Sequence, residues 1–257
     1  MEPKQPDWTD AVEHLRACDQ RMPAIIERIG PCRLHIRHEH SIFYTLLRSI
    51  IYQQLAGKAA AAIMARVEAC LGTPGRLPEP QQIVDAPDET LRTAGLSRNK
   101  LLAVKDLAAK TLDGTVPGWP EIEAMTEEEI IERCVQVRGI GRWTVEMLLI
   151  FRLGRLDVLP VDDYGVRKGM QYAYRMRQLP TKKQMLKLGQ RWRPYRSVAS
   201  WYFWRASELP EHKERTARKR AAEKKIAAGK RRGASSAREV ARKKSLPRKK
   251  RSTRASR

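Results

Sequence analysis

The residues in this chain best placed to do chemistry are a carboxylate and a glycine turn. Residues 137–144 read Val-Arg-Gly-Ile-Gly-Arg-Trp-Thr, and Asp163 follows in Leu159-Pro-Val-Asp-Asp-Tyr164. Glycines at 139 and 141 let the backbone approach a ligand closely and adopt positive φ. A helix beginning at the turn points its first unpaired N–H groups outward, where they favour an anion such as a phosphate. Arg138 and Arg142 flank the glycines and add positive charge. A carboxylate held near a bound nucleic-acid backbone points to chemistry on a nucleotide. A lone Gly-x-Gly is also how a plain interhelix turn reads, and a double Asp at a helix start is also a capping pair. The charge of the whole chain has to decide between these.

That charge is strongly positive. Lys and Arg number 51 against 29 acidic residues in 257, a formal net charge of +22. The last 47 residues hold 20 Lys and Arg and 4 Glu, so the excess in the rest is mild. A basic stretch with no apolar face implies a polyanionic partner, nucleic acid ahead of membrane. Four scattered cysteines, Cys18, Cys32, Cys70 and Cys134, have no motif spacing, so neither a disulfide framework nor an iron–sulfur cluster is indicated. Neither an apolar signal region nor a bilayer-length apolar run is visible, and the protein is expected to be soluble, reduced and cytoplasmic. Cys32, His35, His38 and His40 are possible zinc ligands, but they crowd one short extended segment without a returning pair, and the histidines read as surface groups.

The elements that must position the turn and the carboxylate are helical. Apolar residues recur at helical spacing in most segments. Ser41–Gln53 reads as a buried helix capped by Ser41, and Gly57–Leu71 as an alanine-rich helix. Ser97–Leu112 carries Leu101, Leu102, Val104, Leu107 and Ala108 on one side. Thr126 and Glu129 form a capping box before Ile130, Ile131, Cys134 and Val135. Arg142–Leu153 follows, so the glycine turn joins two helices. Asp162 or Asp163 starts the next helix, Pro180-Thr181 another, and Pro194 opens a last one containing Trp201-Tyr-Phe-Trp204. Only Cys32–His38 and Leu156–Val161 look extended, and neither can build a sheet. Residues 211–257 have too little apolar content to offset their ordering entropy and are expected to be a disordered tail.

Val-Arg-Gly-Ile-Gly-Arg-Trp-Thr followed by Pro-Val-Asp-Asp-Tyr-Gly-Val-Arg resembles the helix-hairpin-helix/Gly-Pro-Asp superfamily of DNA glycosylases. Within it the chain looks most like the bacterial 3-methyladenine DNA glycosylase II type, over roughly residues 8–208. Arg191-Trp-Arg-Pro-Tyr-Arg-Ser197 before an aromatic helix strengthens the match, while Val137-Arg138 departs from the common Leu-Pro of the hairpin. The resemblance makes Asp163 the catalytic aspartate and leaves Asp162 as the cap. It places Trp143, Trp204 and Met147 at base-pocket positions, with Trp192 and Trp201 read as core. It puts DNA contacts on Gly139, Gly141, Arg138, Arg142 and Thr144. Gln53, Gln54 and Leu55 match the loop that wedges into the duplex, with Gln54 ahead of Leu55; a polar helix end reads almost equally well. Backbone carbonyls of Val135, Val137 and Ile140 match a monovalent-cation site, and no other cofactor is required.

The chemistry implied is N-glycosidic cleavage. A carboxylate beside C1′ stabilises an oxocarbenium-like centre. Glycosidases ordinarily use two carboxylates, but an N-alkylated purine is already cationic and leaves without protonation. Lyase relatives carry a lysine where this chain has Trp143, so the enzyme is expected to be monofunctional and to attack with water. The expected architecture is all-α, with a helical glycosylase domain over 1–210 made of subdomains 41–153 and 1–40 plus 156–208 around a cleft. The expected partner is double-stranded DNA containing damaged bases, bound by a monomer at the bacterial nucleoid. The rivals are a glycosylase for uracil or oxidised purines, and a non-catalytic helix-hairpin-helix DNA-binding protein.

Overall fold

Side-chain caps set most of the helix starts. In the computed structural model, which describes residues 5–37, 40–71 and 77–210, Ser41, Ser97, Thr126, Asp163 and Thr181 each precede a helix with extended backbone. Each accepts the N–H three residues on, from Tyr44, Lys100, Glu129, Val166 and Gln184. Such caps satisfy donors that the helix itself cannot. Thr126 with Glu129 and Thr181 with Gln184 complete reciprocal capping boxes. The expected start at Asp162 is corrected: Asp163 is the cap, and exposed Asp162 instead pairs with Lys182 at 2.6 Å.

In chain order the helices are α1 (Thr9–Cys18), α2 (Met22–Ile29), α3 (Ile42–Tyr52), α4 (Gly57–Leu71), α5 (Pro80–Asp85), α6 (Asp88–Thr93) and α7 (Arg98–Leu112). After these come α8 (Trp119–Ala124), α9 (Glu127–Cys134), α10 (Arg142–Phe151), α11 (Tyr164–Ala173), α12 (Lys182–Gly189) and α13 (Arg196–Glu208). A 3-10 turn at Gln190–Trp192 follows α12 directly. No strand occurs among the described residues, so the protein is all-α as expected. The basic stretch 211–257, expected as a disordered tail, lies outside the described residues, as does His38.

Two sets of helices pack mainly among themselves. α3 and α7 touch each other, with α4 against α3 and α5 against α7. Leu46, Leu47, Ile50, Ile51, Val104 and Leu107 are fully enclosed there. Leu102, expected on the buried side of α7, is 41% exposed; the buried stripe of that helix runs through Leu101, Val104 and Ala108, and Leu102 lies off it. In the other set, α1 packs on α2 and on the 3-10 turn. α10 touches both α9 and α3, which fixes the glycine hairpin beside the end of α3.

The second set is tied by a buried acid that no sequence pattern marks. Asp19, just after α1, accepts hydrogen bonds from the Tyr174 hydroxyl, Trp192 Nε1 (3.1 Å) and the Arg21 amide (2.8 Å), with Arg191 at 3.4 Å. Burial alone would raise its pKa, but these donors together hold it below the usual carboxylate value.

α11 and α13 approach more closely than side chains normally permit. A Cβ on Gly169 would stand 1.9 Å from the Phe203 carbonyl oxygen. One turn earlier, a Cβ on Gly165 would meet Trp204 Cδ1 at 2.8 Å and Asp163 Oδ1 at 3.1 Å. Two glycines four apart thus let the start of α11 sit directly on the aromatic face of α13.

Candidate active site

Asp163 caps α11 and is 8% exposed, with both carboxylate oxygens engaged. Oδ1 accepts the Val166 amide at 2.8 Å and the Trp204 indole N–H at 2.7 Å. Oδ2 accepts the Trp143 indole N–H at 2.8 Å. Three helices therefore converge on one carboxylate: α11 supplies it, while α10 and α13 hold it. Three N–H donors suit the anion and fix its orientation.

The carboxylate borders a cavity of about 530 Å³. Trp143, Met147, Phe151, Trp201 and Trp204 form its apolar walls. Trp143 is 48% exposed and lines the cavity. Trp204 is backed by Phe151, with ring centroids 5.3 Å apart. Trp201 is core, as expected, yet its edge also reaches the cavity. Trp192 is wholly core. No lysine is present among the described residues lining the cavity, and Lys168 lies instead over the Tyr164 ring, 5.4 Å from its centroid.

The hairpin lies next to this cavity because α10 contributes to both. Val135 ends α9, and Gly139 takes φ +79°, which a glycine adopts without strain. Gly141 caps α10, so the amides of Arg142 and Trp143 belong to its unpaired first turn. The Arg138 amide is held by Asp106 Oδ2 at 2.7 Å. Thr144 is half-buried and its amide bonds back to the Gly141 carbonyl. The Arg142 side chain turns back across the hairpin, making two bonds of 2.8 Å to Glu128 and one of 3.2 Å to Glu146. Its backbone N–H, more than its guanidinium, is thus the group directed outward. Among the carbonyls matched to a cation site, that of Val137 already accepts the Ile140 amide at 3.0 Å and keeps its second lone pair. Neutral backbone oxygens of this kind suit a hard cation. Among the described residues, no cluster of His, Cys, Asp and Glu could hold a metal ion.

Glu146 was not foreseen. It is buried one turn into α10, and burial pushes its carboxyl up to about 7 despite the attraction of Arg142. The Arg142 charge is shared with the closer Glu128, which explains why burial prevails. Asp162 and Asp163 also favour the neutral form of Glu146.

The loop after α3, which carries Gln53, Gln54 and Leu55, is bound to the hairpin. The Gln53 side-chain amide donates to the Gly139 carbonyl at 2.9 Å. Lys100 Nζ caps the end of α3 through the carbonyls of Ile51 and Gln53. At the tip, Gln54 adopts φ +58°, uncommon for a residue with a Cβ, and both Gln54 and Leu55 are exposed. Strained backbone at an exposed tip is a pattern found at functional loops.

Residues 47–194 match the HhH-GPD superfamily of base excision DNA repair proteins. The chain belongs to this superfamily. It is 39% identical over 205 residues to DNA-3-methyladenine glycosylase 1 of Schizosaccharomyces pombe, covering 79% of this chain and 90% of that protein. Among solved structures, the fission-yeast 3-methyladenine DNA glycosylase in complex with abasic DNA superposes with a TM-score of 0.67 at 38% identity, covering 79% and 98% of the two chains. A DNA-3-methyladenine glycosidase of Bacillus halodurans gives a TM-score of 0.72 at 35% identity, covering 80% and 93%. Superfamily membership accords with the hairpin, the aspartate and the aromatic cavity occurring together. Among the described residues no helix is long and apolar enough to cross a membrane.

Proposed function

We propose that the protein is a monofunctional DNA glycosylase that extrudes alkylated purines of the 3-methyladenine type from duplex DNA and removes them by hydrolysis, as the first step of base excision repair. The observation that carries this reading is the Asp163 carboxylate, fixed by three N–H donors at the wall of an aromatic cavity beside the glycine hairpin.

The hairpin amides of the Gly139–Trp143 turn hold a phosphate, and Arg138 and Thr144 support that contact. Gln54 or Leu55, presented on a loop that Gln53 ties to the hairpin, fills the space the base vacates. The extruded base enters between Trp143 and Trp204, where a cationic purine stacks on indole faces. As the glycosidic bond lengthens, positive charge grows at C1′ and the ring oxygen, and the Asp163 anion stabilises it. The alkylated base leaves with the bonding electrons and is neutralised by doing so. Water adds to the sugar cation and loses a proton. An abasic site remains, with no covalent enzyme intermediate.

The backbone carbonyls of Val135, Val137 and Ile140 would hold a monovalent cation at the hairpin, its charge adding to the attraction for phosphate. Residues 211–257 supply further sequence-independent affinity through their basic side chains, and the protein acts as a monomer on DNA in the cytoplasm.

The test is base release from methylated, uracil-containing and oxoguanine-containing duplexes by the wild type and by Asp163→Asn. Release from methylated DNA that falls about 10²-fold or more in the variant supports the reading. Preferential release of uracil or oxoguanine would give the cavity another lesion. Release from none of them, with DNA binding intact, would leave only a binding module.

A further inference from the structure

The extended segment before α3 carries a pattern that the reaction above does not use. Leu34 and Ile36 are buried, while Arg33, His35 and Arg37 alternate with them, are exposed, and line the Asp163 cavity. Extended backbone imposes this alternation, because successive side chains point to opposite sides.

The segment is a built platform. Trp8 Nε1 donates to the Leu34 carbonyl at 3.0 Å. The Gln5 side chain pairs with both backbone groups of Ile36, at 2.8 and 3.0 Å. The Arg37 amide donates to the Phe151 carbonyl at 3.0 Å, which fastens the segment to the end of α10. In return, Arg152 Nη1 donates to the Arg37 carbonyl at 3.3 Å. No described carboxylate pairs with Arg33 or Arg37.

We propose that Arg33 and Arg37, with His35 between them, form a phosphate-binding comb that grips the backbone of the strand carrying the extruded nucleotide. The inference rests on the cavity receiving a base, and it adds an anion site on a segment separate from the hairpin. Guanidinium groups offer donors and no acceptor, which suits phosphate oxygens. They would repel a cationic base, so the backbone rather than the base is their partner. Arg33 and Arg37 are four residues apart and so stand roughly 13 Å apart on an extended segment, about twice the spacing of successive phosphates along one strand, with His35 at the position between.

The experiment compares the wild type with Arg33→Gln/Arg37→Gln on a duplex bearing a stable abasic-site analogue. Both positions are exposed, so the variant is expected to melt like the wild type. Its plot of log affinity against log salt should be shallower by about 1.8, because two phosphates are no longer neutralised, and its affinity at moderate salt about tenfold lower. Replacing a phosphate next to the abasic site by a neutral methylphosphonate should weaken wild-type binding but not weaken the variant further. An unchanged salt slope, or a methylphosphonate effect equally large in both proteins, overturns the comb. So does a variant whose lesion preference changes at constant slope, because the arginines would then touch the base. Base release by the wild type is measured alongside: its absence together with the predicted slope change would sink the glycosylase reading and leave the comb standing.

Discussion

Gly169 of α11 lies flat against the main chain of Phe203 in α13. A Cβ there would stand 1.9 Å from the Phe203 carbonyl oxygen and 2.4 Å from its carbonyl carbon. Main chain cannot rotate aside as a side chain can. Gly169→Ala is therefore expected to destabilise the fold by about 3 kcal/mol, the upper end of overpacking costs, seen as a lower urea midpoint at unchanged slope. Gly165→Ala should behave differently, because its Cβ meets the Trp204 ring and Asp163 Oδ1, which are side-chain atoms. Here stability should change little while base release falls about tenfold, as the ring and the carboxylate are pushed apart. Equal losses of stability in the two variants would remove the distinction.

Trp143 has two roles that can be separated. Its side chain lines the cavity, and its N–H holds Asp163 Oδ2 at 2.8 Å. Trp143→Phe keeps an aromatic face and loses the donor. A hydrogen bond to a charged group contributes about 1.5–3 kcal/mol, so turnover should drop at least tenfold while affinity for abasic DNA changes less than twofold. Near-normal turnover for Phe, with a large loss for Trp143→Ala, would assign the residue to stacking alone.

The cavity also makes a statement about mechanism. A lyase needs an amine within reach of C1′, and no lysine lines the cavity among the described residues. Borohydride added during turnover should trap no enzyme–DNA adduct, and the product strand should stay intact until treated with base. A trapped adduct abolished by replacing a single lysine would overturn the hydrolytic assignment.

What could be read in advance had local causes. The caps at Ser41, Ser97, Thr126 and Thr181 are visible because a capping oxygen and its N–H partner are three residues apart. The hairpin glycines are visible because a turn needs them. Which of Asp162 and Asp163 caps α11 was not settled by such rules, since either can cap a helix; the Val166 amide bonding to Asp163 Oδ1 decides it. The Arg142–Glu128 pair and the Asp19 hub join residues 14 and more than 150 apart, and no local pattern announces them. Gly165 and Gly169 did leave a signal, glycines four apart in one helix, which implies a close neighbour on that face. Cys32–His38 was legible as an extended segment, but nothing in the sequence said that the side bearing Arg33, His35 and Arg37 borders the cavity.

Glu146 gives the fold a specific dependence on pH. Its carboxyl has an ordinary value of 4.5, and burial pushes it up to about 7 in the folded protein. Below about 4.5 it is protonated in both folded and unfolded chains and contributes no pH dependence. Between about 4.5 and 7 the unfolded chain is ionised while the folded one stays protonated, so folding takes up a proton and stability falls as pH rises. Above about 7 both states are ionised and the penalty is constant. Glu146→Gln should lack this segment while Arg142 keeps its two bonds to Glu128. The stability of the wild type relative to the variant, measured by urea unfolding at a series of pH values, should therefore decline from pH 4.5 to 7 and then level off. Taking the difference cancels the titration of groups common to both proteins. A difference that rises with pH through this window would mean that Arg142 holds Glu146 ionised, and that its ion pair outweighs burial.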